Sequence, residues 1–229
     1  MEKILMINFV KLQAVIWDMD GVILDSEFAH YRALDAIFEK HKIVVHVDQH
    51  QRSFGMTDRQ VIQFVTVEQL PDKLIDTIRH EKDIVFRQII SKNIAFLPGV
   101  QKWMDLFKKN GVSQALASSS SEININFVLD KLGAAQYFDE VVSGEALPSK
   151  PNPFIFLKAA ERLGVIPLNC LVFEDAVAGV QAAKAAGMKC VAVTTTNPVE
   201  KLVDADVVLN NLSEMMTDHI LNLFSGERI

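Results

Sequence analysis

The sequence predicts an α/β protein: a doubly wound parallel sheet with an α-helical block inserted after the first strand. Two observations lead there. Beyond residue 97, short apolar runs alternate with stretches of helical periodicity, the pattern of repeated β–α units joined by right-handed crossovers. Between residues 26 and 91, helical periodicity recurs with no comparable strand. The chain of 229 residues, 49% hydrophobic and 23% charged, has room for one α/β core and a small inserted domain. A chain of this length buries roughly 70% of its unfolded surface and needs no disulfide or structural-metal staple.

Leu12–Trp17 is a run of β-forming residues ending at Asp18, as expected for a buried central strand. Gly21 then breaks the chain where a sharp turn is needed. From Ser26 to about Lys40, Phe28, Ala29, Ala33, Leu34, Ile37 and Phe38 recur at helical spacing. Arg59–Val67 and Asp72–Ser91 also read as helices, whereas Ile43–Val47 is β-branched with polar flanks and stays unassigned. Phe28, Phe38, Phe64 and Phe86 are expected to form the core of this insert. After Leu97-Pro98-Gly99 comes an amphipathic helix, Val100–Lys109, stopped near Asn110-Gly111. The run Ser113–Ala117 precedes four serines, and Ser119 with Glu122 predicts a capping box at a helix start. Strands at Glu140–Val142, Leu171–Phe173, Lys189–Val193 and Asp206–Leu209 alternate with helices at Phe154–Leu163 and Val177–Ala186 and a closing helix. The expected units are thus a core of residues 1–25 and 97–229 and a helical cap of residues 26–96. Cys170 and Cys190 read as buried, reduced strand residues.

Charge excludes some partners. A net charge of −6 offers no basic footprint for nucleic acid or an anionic membrane. No run reaches the roughly 18 apolar residues of a membrane span, and the apolar opening ten residues carry no small-residue cleavage site. The expectation is a cytoplasmic monomer that handles a small molecule.

Ligands of such sheets bind beyond the carboxyl ends of the strands. That rule selects Asp18, Ser118, Lys150 and the pair Glu174-Asp175. Asp18-Met19-Asp20-Gly21 by itself could be a turn whose carboxylates cap backbone N–H groups. With the other strand-end groups it also suits phosphoryl transfer. There a carboxylate nucleophile, Asp18, forms an acyl phosphate and splits one hard step in two. A second carboxyl, Asp20, protonates the leaving oxygen and later takes a proton from the incoming nucleophile. A magnesium ion, which binds few carboxylates and keeps several waters, would offset the charge, with the Asp20 carbonyl facing it. Asp175 reads as a ligand and Glu174 as a ligand or its support; the alternative is compensation of a helix dipole. Ser118 lies where a helix N-terminus can take a phosphate, and Ser119 is read chiefly as the cap. Lys150, set in Ser-Lys-Pro-Asn-Pro, is placed to meet phosphoryl oxygens, or is simply solvated. His41, His46 and His50, with Asp48 nearby, share no helical face and read as a solvated connector rather than a zinc site. His30, ten residues after Asp20, is within reach of that carboxyl or is an ordinary helix residue.

Taken in order, Asp18-Met-Asp-Gly-Val, Ser118 after Leu-Ala, Lys150 in Ser-Lys-Pro, and Glu174-Asp175 before Ala-Val-Ala-Gly-Val resemble the four motifs of the haloacid dehalogenase superfamily. With Asp25-Ser26-Glu27, Leu97-Pro98-Gly99 and Ala182–Gly187 the resemblance covers nearly the whole chain. It implies a Rossmann-like core, a helical cap between the first two motifs, and Mg2+ held by Asp18, the Asp20 carbonyl and Asp175. Dehalogenases and phosphonate hydrolases of the superfamily lack the second motif aspartate, so Asp20 argues against both chemistries. The subgroup looks like β-phosphoglucomutase and its sugar-phosphate phosphatase relatives, with His30 and Lys82 where that subgroup has a His and a cap Lys. The loop Arg52-Ser53-Phe54-Gly55-Met56-Thr57 carries the expected glycine. The mutase's basic residue three places past it is Asp58 here, with Arg59 one step late, which argues for a phosphatase over a phosphomutase. Asn152 also departs from the small or acidic residue common after Lys-Pro. A receiver-type signalling module has half this length and no insert, and a silent binding protein would lack one of these core residues.

Overall fold

The computed structural model describes residues 11–45 and 56–225. Among them six parallel strands form one sheet in the order β3-β2-β1-β4-β5-β6. They are β1 (Ala14–Trp17), β2 (Ser113–Ser118), β3 (Glu140–Ser143), β4 (Cys170–Glu174), β5 (Lys189–Val193) and β6 (Val207–Leu209). The chain direction across the sheet reverses at β1, which pairs with β2 on one side and β4 on the other. A crevice at such a switch point is where doubly wound sheets bind ligands.

The alternation of side chains along each strand explains why the strands read as continuous apolar runs. Val15 and Trp17, with Leu116, Leu171, Phe173, Val191 and Val193, face one hydrophobic cluster. Ala14 and Ile16, with Ala115, Ala117, Val142, Val172 and Ala192, face another. Both faces are therefore covered, as a parallel sheet requires. On the first face lie α4 (Val100–Lys109), α5 (Glu122–Leu132) and α8 (Thr217–Phe224). On the second lie α6 (Phe154–Leu163) and α7 (Val177–Ala185). Trp17 stacks on Phe173 at 4.4 Å, and its indole N–H donates to Gln114 at 3.1 Å, so the one polar atom of the ring is satisfied. Cys170 and Cys190 are buried free thiols, and burial pushes the Cys170 thiol up to about 12.

Among the described residues, three helices lie between β1 and α4: α1 (Glu27–Lys40), α2 (Asp58–Val65) and α3 (Asp72–Ile90). Their far ends share a separate cluster of Leu34, Ile37, Phe38, Ile62, Val65, Ile75 and Ile78. Their near ends do not. Ala29, Ala33, Phe86 and Ile90 belong to the same cluster as Trp17 and Phe107. Val45 forms an isolated antiparallel bridge with Thr66, and Ile43 and Val45 pack against the distal cluster.

Some expectations are corrected. Phe28 is 69% exposed and is no part of any core, because it lies on the outer side of α1. Ser119 does not cap α5. Strand β2 runs on through Ser118, whose hydroxyl takes the Ser120 N–H at 3.1 Å, so the helix starts later. Ser121 is the N-cap, its hydroxyl accepting from the Asn124 N–H at 3.4 Å, and Glu122 is the first helical residue. The apolar opening residues, His46, Asp48, His50 and the loop from Arg52 to Gly55 lie outside the described residues.

Candidate active site

Asp18 is the residue after β1, its N–H bonded to the Phe173 carbonyl at 3.0 Å, so the strand ladder itself delivers this side chain to the rim. It is 6% exposed. Lys150 enters from the loop after β3, through a cis Lys150–Pro151 peptide, and is equally buried. Its ammonium lies 2.5 Å from Asp18 Oδ1 and 2.5 Å from Glu174 Oε1, and 5.0 Å from the centre of the Phe156 ring. The carboxylates on either side raise the Lys150 ammonium against the burial that would lower it, so it stays charged.

Glu174 ends β4. Besides Lys150, its carboxylate accepts the N–H groups of Asp175 and Ala176, both at 2.8 Å. Gly179, on the first turn of α7, makes room for it: a Cβ there would meet Glu174 Oε1 at 1.8 Å. Both oxygens of Glu174 are thus engaged, which suits it to orienting Lys150 rather than to direct metal ligation. Asp175 has a different setting. Thr196 Oγ1 donates to its Oδ2 at 2.5 Å, and Asn197 donates to its carbonyl at 3.2 Å. Gly21, at φ +80°, packs against it so tightly that a Cβ would come within 2.0 Å of Oδ2.

Asp20 sits across from Asp18 and is held on both oxygens. Oδ1 accepts from Ser26 at 2.6 Å and lies 3.1 Å from His30 Nε2. Oδ2 accepts from Ser120 at 2.9 Å and from Ser118 at 3.5 Å. Ser26 precedes α1 yet makes no side-chain cap; its hydroxyl turns to Asp20 instead. His30 stacks on Phe86 of α3, ring centres 4.1 Å apart, so the insert supplies and fixes this partner.

The electrostatics separate the two aspartates. Burial pushes Asp18 up to about 7; Lys150 opposes, while Glu174 and Asp20 add to the rise. Burial would raise Asp20 too, but His30, Ser26 and Ser120 outweigh it and hold its carboxyl well below the usual range. Asp175 is driven well above the usual range by burial, Glu174 and Asp18. Four carboxylates (Asp18, Asp20, Glu174, Asp175) therefore share this rim with the Lys150 ammonium. That excess of negative charge, with Glu174 and Asp20 raising Asp18 and with Glu174 and Asp18 raising Asp175, fits a bound cation at Asp18 and Asp175. Among the described residues no three His, Cys, Asp or Glu side chains form a metal-holding group. Magnesium does not need one, because it binds through one or two carboxylates and keeps several waters.

The structure thus brings Asp18, Asp20, Ser118, Lys150, Glu174, Asp175 and His30 together. Arg59 is elsewhere: its guanidinium engages Asp72 and Asp76, on α3, at 2.6 and 2.5 Å. Lys82 is buried in the insert and bonded to Asp58 at 2.7 Å. The structure adds four residues to which sequence reasoning assigns no site role: Ser26, Ser120, Thr196 and Asn197. For the last two a signal existed, since Thr194–Asn197 follows a strand on the same rim.

Residues 15–193 match the family described as haloacid dehalogenase-like hydrolase. The phosphorylated carbohydrates phosphatase of Thermotoga maritima is 31% identical over 204 residues, covering 86% of this chain and 93% of that protein. Hexitol phosphatase B of Escherichia coli is 31% identical over 217 residues, covering 92% and 97%. A crystal structure of β-phosphoglucomutase from Clostridium difficile superposes with a TM-score of 0.83 at 28% identity, covering 93% of this chain and 97% of that one.

Proposed function

This chain belongs to the haloacid dehalogenase-like hydrolase family, and we propose that it is a magnesium-dependent phosphatase of a small phosphorylated sugar or sugar alcohol. The observation that carries the proposal is the Lys150 ammonium bridging Asp18 and Glu174 in a buried cluster beside Asp20. Asp18 is the nucleophile: its carboxylate attacks phosphorus, the ester oxygen leaves, and an aspartyl phosphate forms. Asp20, which its own partners keep ionised, takes up a proton as the negative charge of the phosphoryl group arrives beside it, gives that proton to the leaving oxygen, and then takes one from the attacking water. Its partners His30 and Ser26 on one oxygen and Ser118 and Ser120 on the other hold it in place for both. Lys150 clamps the transferring phosphoryl oxygens, Glu174 orients Lys150, and Ser118 with the N–H groups after it accepts the phosphate. Asp18, Asp175 and the Asp20 carbonyl would hold the magnesium, which neutralises phosphoryl charge when bound. Residues 26–96 act as a cap that covers the substrate and excludes bulk water.

The names of two relatives, a carbohydrate-phosphate phosphatase and a hexitol phosphatase, support this substrate class. The likeness to a β-phosphoglucomutase supports a second reading, in which a sugar hydroxyl replaces the water. A phosphate-release screen over sugar and polyol phosphates, with and without magnesium, run beside an isomerisation assay on β-glucose 1-phosphate, separates the two. Asp18→Asn is expected to abolish turnover while the circular dichroism spectrum stays native. Retention of more than about a hundredth of the rate, roughly 3 kcal/mol of barrier, would overturn the nucleophile assignment.

A further inference from the structure

Helix α3 carries Arg79 and Lys82 one turn apart, and a carboxylate of α2 neutralises the more deeply buried of the two. Lys82, with a side chain 3% exposed, donates to both oxygens of Asp58 at 2.7 and 2.9 Å and lies 3.8 Å from Asp83. The pair belongs to the site's wall. Lys82 lies over Phe86 at 5.5 Å, Phe86 stacks on His30, and His30 reaches Asp20. Asp58 is also close enough to His30 and Arg79 to feel both charges; burial raises its carboxyl, but Lys82 and these two outweigh it. Arg79, three residues before Lys82 on α3, bonds Glu145. Glu145 lies just past the end of β3, beside Gly144, whose N–H bonds the Ser118 carbonyl at 2.7 Å. Arg79 Nε is buried with no hydrogen-bond partner. Arg59 is matched by Asp72 and Asp76.

We propose that Asp58 is a specificity-determining residue: by holding Lys82 it keeps the leaving-group side of the site electrically balanced, selecting phosphomonoesters whose body carries hydroxyls and no second charge. The inference rests on the phosphatase reading above. A second phosphate would have to take Lys82 from Asp58, stranding a largely buried carboxylate, and removal of one partner from such a pair is strongly unfavourable. A hydroxyl breaks nothing. It can donate to an Asp58 oxygen and leave both ion pairs intact. A site built to hydrogen-bond hydroxyls discriminates sharply against bodies that cannot return those bonds.

The test measures kcat/KM for glucitol 6-phosphate, fructose 1,6-bisphosphate and p-nitrophenyl phosphate in the wild-type chain, Asp58→Asn, and the double variant Asp58→Asn with Lys82→Met. The wild type is expected to prefer the monophosphate over the bisphosphate at least tenfold. Asp58→Asn, which frees the Lys82 ammonium, should narrow that preference at least tenfold, and the double variant should restore it. An Asp58→Asn preference equal to that of the wild type, or a double variant that takes both substrates alike, would overturn the inference. If Asp58→Asn does not fold, Lys82→Met decides in its place: by leaving the Asp58 charge uncompensated it should widen the preference for the monophosphate at least tenfold, and an unchanged preference would overturn the inference. Failure of the wild type to release phosphate from any of the three compounds, p-nitrophenyl phosphate included, would instead sink the phosphatase reading.

Discussion

Lys150→Met offers the sharpest quantitative test of the site. The substitution keeps most of the side chain's length and removes the ammonium that lies 2.5 Å from both Asp18 and Glu174. Asp18, Glu174 and Asp175 are then left buried together, at 6%, 1% and 3% exposure, with no cation among them. Removing one partner of a buried pair costs about 3–5 kcal/mol. For a chain of this size each kcal/mol moves Tm by roughly 2–4 °C, so a fall of roughly 6–20 °C is expected at pH 8. The deficit should shrink toward pH 5. Without Lys150 the folded-state pKa values of Asp18 and Asp175, already raised, rise further, and protonated carboxyls need no counter-charge. Differential scanning fluorimetry at both pH values measures this, and phosphate release should fall roughly 10²–10³-fold in parallel, the loss of one preorganised donor. A Tm within about 2 °C of wild type at pH 8, with turnover within about threefold, would refute the placement of Lys150 as counter-ion and clamp; both thresholds lie well under the expected effects.

Two further outcomes are expected. Gly21→Ala should abolish magnesium binding and activity and lower stability as well, because the new methyl lands 2.0 Å from Asp175 Oδ2 and must displace that carboxylate at a backbone position of φ +80°; isothermal titration with magnesium checks it, and wild-type affinity would be the contrary result. The metal-free chain should be most stable on the acid side of neutrality. Asp18 and Asp175, with folded pKa values raised, cost stability as pH rises from about 4 through 7, whereas Asp20, Asp58 and Asp206, held low, give stability that is lost as pH falls below about 4. Urea unfolding between pH 3 and 8 should show that maximum, and saturating magnesium should move it upward; a metal-free chain most stable at pH 8 would contradict the charge excess.

Local pattern made most of the sheet legible. The central strands β1 and β4 are buried on both faces, so they appear as near-continuous apolar runs, and the rule that ligands gather at carboxyl ends then picks out Asp18, Ser118 and Glu174 directly. The four serines from 118 to 121 were not resolvable that way. Any of them can cap a helix, and only the length of β2 decides that Ser118 and Ser120 turn to Asp20 while Ser121 caps. Ser26 was illegible for a similar reason: its local duty would be a cap, and a carboxylate six residues earlier claims it. Phe28 shows the opposite error, an apolar residue at a helical position whose face happens to meet water. Contacts between helices far apart in sequence, such as Asp58 with Lys82 or Asp83 with Asn124, follow from how α1, α2, α3 and α5 pack, and no local rule reports them.

The insert's two-part interior has a mechanical consequence. Ala29, Ala33, Phe86 and Ile90 are continuous with the body of the protein, while Leu34, Phe38, Ile62 and Ile78 form an island of their own. A lever so constructed is anchored at its base and yields at its tip. Amide hydrogens of α2 should exchange with deuterium well before those at the root of α3. The distal island could also be repacked, and its selectivity retuned, without loosening the anchorage that keeps His30 against Asp20.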